Sequence, residues 1–240
     1  MRTISRAAFA VSLLLFSSSP FAECGAQDIA EITAYFALNS TPSAAFAPVV
    51  TRTMLGEARS GADFIFRYGR ADLVLVEADN LALTWVNGGA RGSFGFTAGY
   101  WKPDCDDCDG HFVAGLGGDL RLLNSPVGAT PGTMFLTAAL STELGFGWPE
   151  DATIWTAVLA LPVTLVAGST ISGVRIAPFL SPGFGWGRIS DDNESESGTR
   201  PMLGGGLAVR GRQMGATFGF QKVFIEDGET TFGINVLLQM

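Results

Sequence analysis

After residue 22 the 240-residue chain has no uninterrupted apolar run near the ~18 residues that a spanning helix needs. The nearest stretch, TIWTAVLALPVTLVAG at 153–168, carries Pro162 near its middle and is rich in Val and Thr, which excludes a helical bundle in a membrane. Charge is scarce too, at 16% of residues against 47% hydrophobic. That balance excludes a disordered protein and demands a packed or membrane-facing surface to absorb the apolar excess. Basic residues are outnumbered, and a formal net charge of -8 speaks against nucleic acid as a partner. Histidine occurs once, as His111, next to a hairpin and not in the H-x-S arrangement that a nucleophilic centre of a membrane barrel would use. No catalytic residue, cofactor or dedicated metal site is therefore expected.

The opening MRTISRAAFAVSLLLFSSSPFA has two arginines, an apolar run from Ala7 to Phe16 and a small-residue exit, the layout of an export signal. Cleavage is expected after Ala22 or after Ala26. Loss of residues 1–22 removes Arg2 and Arg6 and no acid, moving the formal charge from -8 to -10. Glu23 stands where lipidation of Cys24 would want a small residue, so a lipoprotein is not expected. Cys24, if it survives cleavage, is an odd thiol without an assigned partner.

From residue 91 onward, a period of two recurs in segments of about ten residues, most of them closed by turn formers. In RGSFGFTAGYW the apolar set is Phe94, Phe96, Ala98 and Tyr100, with Ser93, Gly95, Thr97 and Gly99 between them. The same parity runs through HFVAGLGGDLRLL, MFLTAALSTELGFGW, VRIAPFLSPGFGWGR, MLGGGLAVR, QMGATFGFQ and the terminal TTFGINVLLQM; both faces of 153–166 hold aliphatics. These segments predict about eight strands. Their second face is Gly, Ser, Thr and Ala with isolated charges, which suits the tight interior of a small closed antiparallel up-and-down barrel with apolar side chains toward lipid. Closure is required because an open edge in lipid leaves backbone groups unpaired. A soluble lipocalin-like barrel is the competing reading; it alternates too, with its greasy face inward.

Parity places Asp119, Arg121, Glu143, Arg175 and Arg210 inside, which predicts a lumenal network of ion pairs and hydrogen bonds and hence a plugged lumen. If strand 91–101 rises outward, the acidic stretches KPDCDDCDG, GWPED, SDDNESESG and EDGE all fall on the outer side, and NSPVGATP, AGSTI and GR on the inner. Tyr100, Trp101, Trp148, Trp155, Trp186 and Phe224 lie in or near the outer connections, as an aromatic girdle at the lipid boundary would.

With its signal, alternating meander and amphipathic last strand, the chain resembles the small outer-membrane barrels of Gram-negative bacteria, the class of the OmpA transmembrane domain and OmpX. The likeness covers roughly 62–240, is architectural and rests on no diagnostic motif. It implies outer-membrane lipid, lipopolysaccharide and the barrel-assembly machinery as partners, the last reading the strand with Phe232, Ile234, Val236, Leu238 and Met240. Met240 stands where that class usually ends in an aromatic residue.

Residues 23–61 fall outside the pattern. DIAEITAYFALNS is a short-helix candidate with Ile29, Ile32 and Phe36 on one side, and TPSAAFAPVV reads as an extended linker; the segment either lines the inner mouth or fills the lumen. ADFIFRYGRADLVLVEADNLALTWV at 62–86 is strand-like with a turn near EADN, so ten strands is the alternative count. In PDCDDCDGH, Cys105 and Cys108 are expected to form a loop disulfide in an exported chain. A zinc site would have only three ligands, and the calcium-loop reading lacks its distal Glu, so only loose divalent-cation contact with the acidic loops is expected. Two function classes follow: a structural or surface-interaction barrel, or a narrow pore or carrier of a small apolar ligand.

Overall fold

The computed structural model describes residues 26–44, 46, 48–57, 60–73, 76–105, 109–127, 134–168, 173–191, 194–225 and 230–239. The expected export signal, Cys24, Cys108 and Met240 lie outside these residues. A helix, α1 (Ala26–Asn39), precedes eleven strand segments: β1 (Gly61–Leu73), β2 (Val76–Gly88), β3 (Gly92–Pro103), β4 (His111–Pro126), β5 (Met134–Trp148), β6 (Thr153–Ala160), β7 (Val163–Gly168), β8 (Arg175–Ser190), β9 (Ser195–Arg210), β10 (Met214–Val223) and β11 (Thr230–Gln239). All pairings are antiparallel, and β1 joins β11 from Asp63↔Gln239 to Arg70↔Phe232, which closes the sheet on itself.

β6 and β7 form one stave of this barrel. Both pair with β5 on one side and β8 on the other, and the register passes unbroken from Ser141↔Ala160 to Ala138↔Val163. The interruption falls at Leu161–Pro162, where proline has no N–H to give the ladder, although the Pro162 carbonyl still accepts from Ala139 N at 3.0 Å. The barrel therefore has ten staves, which corrects the count of eight in favour of the alternative. β1 and β2 supply the additional pair. Their alternation is blurred in sequence because Asp63 and Arg67 sit on the inner face while Arg70 and Asp79 sit on the outer one.

The two faces differ as parity requires. Thirty-three large apolar side chains are exposed among the described residues, from Phe112 (72%) and Leu81 (64%) to Trp186, and they point outward from every stave. The inward positions between them are small or polar and buried, among them Thr84, Thr97, Thr137, Thr156, Thr164, Ser181, Thr217, Thr231 and Asn235. A soluble barrel has the opposite polarity, so the lipocalin-like alternative does not describe this wall. No helix among the described residues is long and apolar enough to cross a membrane, which says nothing about crossing by strands.

α1 and the described residues of 40–57 occupy the lumen, and the buried core lies between them and the wall. Tyr35, Leu38, Ala44 and Phe46 pack with Ala71, Ala78, Ala82, Trp101, Val113, Met202 and Val223; Val50, Met54 and Leu55 pack with Ala139, Val166, Ala177, Phe179 and Ala208. Of the two positions proposed for this segment, the inner mouth and the lumen, it takes the lumen. The helix face also differs from expectation: Ala34, Tyr35, Ala37 and Leu38 are buried, while Ile32 and Phe36 are half-buried. Small residues win because the helix lies against the wall. A Cβ on Gly187 would come within 2.7 Å of the Ala37 Cβ, and one on Gly198 would collide with the Ala30 carbonyl.

Candidate functional site

The barrel has two unlike ends. At one, which we term the acidic end, lie the β3–β4, β5–β6, β8–β9 and β10–β11 connections; at the other, the terminal end, β1 begins and β11 finishes. Described acids Glu77, Asp79, Asp104, Asp109, Glu150, Asp151, Asp191, Glu194 and Glu196 gather at the acidic end, and Arg91, Arg121, Arg175, Arg210 and Arg212 at the terminal end.

The lumenal segment runs from one end to the other. α1 starts beside Gly198 under the β8–β9 hairpin. At its C-terminus Trp101 Nε1 donates to the Asn39 carbonyl (3.1 Å), and His111 Nε2 lies 3.1 Å from the Ser40 carbonyl and so carries the proton there. Thr156 Oγ1 meets the hydroxyls of Thr41 (2.9 Å) and Ser43 (2.8 Å), Gln221 donates to the Ser43 carbonyl (3.0 Å), and Thr231 donates to Asn39 Oδ1 (3.0 Å). Lower down, Asn235 Nδ2 donates to the Pro48 carbonyl (3.3 Å). At the terminal end Thr53 donates to the Gly89 carbonyl (3.0 Å) and Thr137 to the Met54 carbonyl. Gly56, at φ 67°, then turns the chain toward β1 in the left-handed region that glycine tolerates.

Charges hold the terminal half. Arg52 donates to Asp63 at 2.6 Å through Nη2 and at 3.1 Å through Nε, and Arg210 Nη2 reaches the other Asp63 oxygen at 2.9 Å. Glu57 lies 3.3 Å from Arg210, 3.4 Å from Arg175 and 3.9 Å from Arg52. Asp119 accepts from Thr51 (2.9 Å) and Ser93 (2.7 Å), and Glu143 faces Arg67 at 3.8 Å, whose guanidinium sits 4.6 Å from the centre of the Phe46 ring. A cavity of about 100 Å³ between the segment and the wall is lined by Thr51, Arg67, Asp119, Ser141 and Glu143 among others.

Asp119, Glu143 and Arg210 lie inside, as parity predicts, while Arg121 is half-buried and Arg175 is at the rim. The five do not pair with one another. Their partners are Glu57 and Thr51 on the lumenal segment, Ser93 on the neighbouring stave, and Asp63 and Arg67 on β1, across the lumen from Arg210 and Glu143; Arg121 makes no ion pair among the described residues. Asp63 and Arg67 share the parity of Ile65, so the alternation rule carried into β1 finds them. Arg52 and Glu57 carry no such signal, since their segment has no period.

Tyr100, Trp148, Trp155, Trp186 and Phe224 point outward near the acidic end, with Tyr100 5.4 Å from Phe112 and Trp155 4.7 Å from Phe146. Trp101 does not belong with them. It follows Tyr100 directly and so has opposite parity; its ring is buried in the lumen 5.0 Å from that of His111. A second outward aromatic cluster, Trp85, Phe94 and Phe96, lies near the terminal end, with Trp85 5.5 and 5.9 Å from its neighbours. Beyond the apolar band at the acidic end, Arg70 pairs with Glu77, lies 4.0 Å from Asp79 and 3.9 Å from Asp104, and Tyr68 donates to Asp79 (2.7 Å). Phe232, Ile234, Val236 and Leu238 point outward from β11. Cys105 is disulfide-bonded, with Cys108 outside the described residues. Among the described residues no three His, Cys, Asp or Glu side chains come together to hold a metal ion.

No family profile matches the chain, and no curated protein sequence does. Solved structures do. Ail, the attachment invasion locus protein of Yersinia pestis, is 10% identical with a TM-score of 0.38, over 76% of this chain and 98% of that one. The N-terminal β-barrel domain of Pseudomonas aeruginosa OprF is 11% identical with a TM-score of 0.32, over 76% and 100%. The Acinetobacter baumannii outer membrane protein Omp33 is 10% identical with a TM-score of 0.29, over 78% and 100%. The chain resembles small outer-membrane barrels. The likeness is one of architecture.

Proposed function

We propose that the chain is a non-enzymatic outer-membrane β-barrel with a structural or surface-interaction role, its lumen closed by its own N-terminal segment. One observation carries this reading: the apolar face of a closed sheet turns outward on all ten staves while the inward face is polar and covered. Water offers such a wall no favourable partner, whereas lipid does, and closure leaves no backbone edge unpaired there. The acidic hairpins face outward from the cell in this reading and meet lipopolysaccharide through divalent cations. β11 presents its apolar face to the barrel-assembly machinery. The one histidine is engaged inside the lumen with Ser40, which leaves no exposed acid–base pair built on it. The lumenal cavity lined by Thr51, Arg67, Asp119 and Glu143, about 100 Å³, has room for a few ordered waters, which supports a closed lumen.

Exported protein recovered from membranes should migrate faster unheated than boiled, as a closed barrel does, and should give no conductance steps in planar bilayers. Recovery in the soluble fraction without a shift would sink the membrane reading. A steady single-channel current from the intact chain would sink the closed lumen and favour a pore.

A further inference from the structure

A ten-stave meander closes only when its first and last strands meet, and β1 and β11 are separated by more than 150 residues of chain. Their register is poorly specified by their own side chains. The outward faces alternate apolar residues on both strands, so a slip of two residues would leave the greasy face greasy and change only which inward groups oppose each other. Below the inward glycine pair Gly69↔Gly233, the inward pairs of the seam are Asp63↔Gln239, Ile65↔Leu237 and Arg67↔Asn235.

The lumenal segment descends along the inside of this seam and meets those pairs in order. Phe46 lies under the Arg67 guanidinium and the Pro48 carbonyl accepts from Asn235, at the Arg67↔Asn235 pair. Val49 packs on Ile65 and Leu237, the next inward pair. Arg52 then grips Asp63, which stands opposite Gln239. One further group, Asn39 Oδ1, holds Thr231 higher on β11. Contacts to β1 are close in sequence, Arg52 and Asp63 being 11 residues apart, whereas those to β11 span 187 and 192 residues. The segment and β1 can therefore form first, as a local unit at small loop-closure cost, with the groups that receive β11 already in place.

We infer that residues 39–52 are an intramolecular template that sets the register in which β11 closes onto β1, a role separate from obstructing the lumen. A stopper needs only bulk. This segment makes polar, register-specific contacts with both sides of one seam, and the closing strand can satisfy Asn39 and Pro48 together at a single offset.

The test is the rate at which full-length protein, diluted from urea into detergent micelles, acquires the fast-migrating unheated band. It does not depend on where the protein resides in the cell. Thr231→Val with Asn235→Leu should slow closure about tenfold while changing the unfolding rate of the closed barrel less than threefold, and Arg52→Met should slow closure more than tenfold, as expected for contacts formed before the rate-limiting step. Thr156→Val removes two hydrogen bonds to the same segment away from the seam and should leave the closure rate within twofold of wild type. Wild-type closure rates in the seam variants would overturn the template. So would equal slowing by Thr156→Val, which would mean the segment acts through stability alone.

Discussion

The two halves of the lumenal segment are held by different physics. Residues 26–44 rest on close packing of Ala34, Ala37 and Leu38 against a glycine-lined wall, with neutral hydrogen bonds to Thr156, Gln221, Trp101 and Thr231. Residues 51–57 are held by charge, with Asp63 between Arg52 and Arg210 and Glu57 among three arginines. Close packing against glycine responds steeply to added volume. A buried ion cluster responds steeply to loss, because each member neutralises its neighbours and removing one leaves the rest desolvated and unpaired.

The largest effect should follow from breaking the ionic half. Asp63→Ala leaves Arg52 and Arg210 facing each other without their shared carboxylate, which should cost roughly 3–5 kcal/mol and lower the urea midpoint of the barrel, followed by loss of the fast-migrating band. A midpoint equal to wild type would mean the cluster is well solvated. Gly198→Leu attacks the packed half by overfilling it and should cost about 1–3 kcal/mol, with protease cutting within 26–44 while 51–57 stays protected. Cutting in both halves together would show that they act as one unit. Smallest is Thr156→Val, which removes a hydroxyl shared by Thr41 and Ser43 and should lower stability by about 1 kcal/mol in the same titration. A cost as large as that of Asp63→Ala would erase the contrast.

Much of the wall was legible from alternation. The strands of 91–239, the inward placement of Asp119, Glu143 and Arg210, and the outward placement of Tyr100, Trp148, Trp155 and Trp186 all follow from a period of two, since each stave has one face toward apolar surroundings and one toward the lumen. Trp101 sits beside a loop, as a girdle residue would, but its parity, opposite to that of Tyr100, turns it inward. β1 and β2 were harder to read because their outward faces pass beyond the apolar band, where Arg70, Glu77 and Asp79 are solvated.

The occupant of the lumen was not legible in the same way. Gly145, Gly187 and Gly198 show that something small-faced must fit inside, but glycine specifies space and not its occupant. Arg52 and Glu57 occur in a stretch without periodicity, and their partners are decided only when strands far apart in sequence curl around them. The sequence by itself determined the strands of 91–239 and which of their faces is apolar, because both depend on neighbours along a strand. The tertiary structure alone decided the ten-stave closure, the passage of residues 26–57 through the lumen and the pairing of each inward charge, because these depend on which distant strands share one interior.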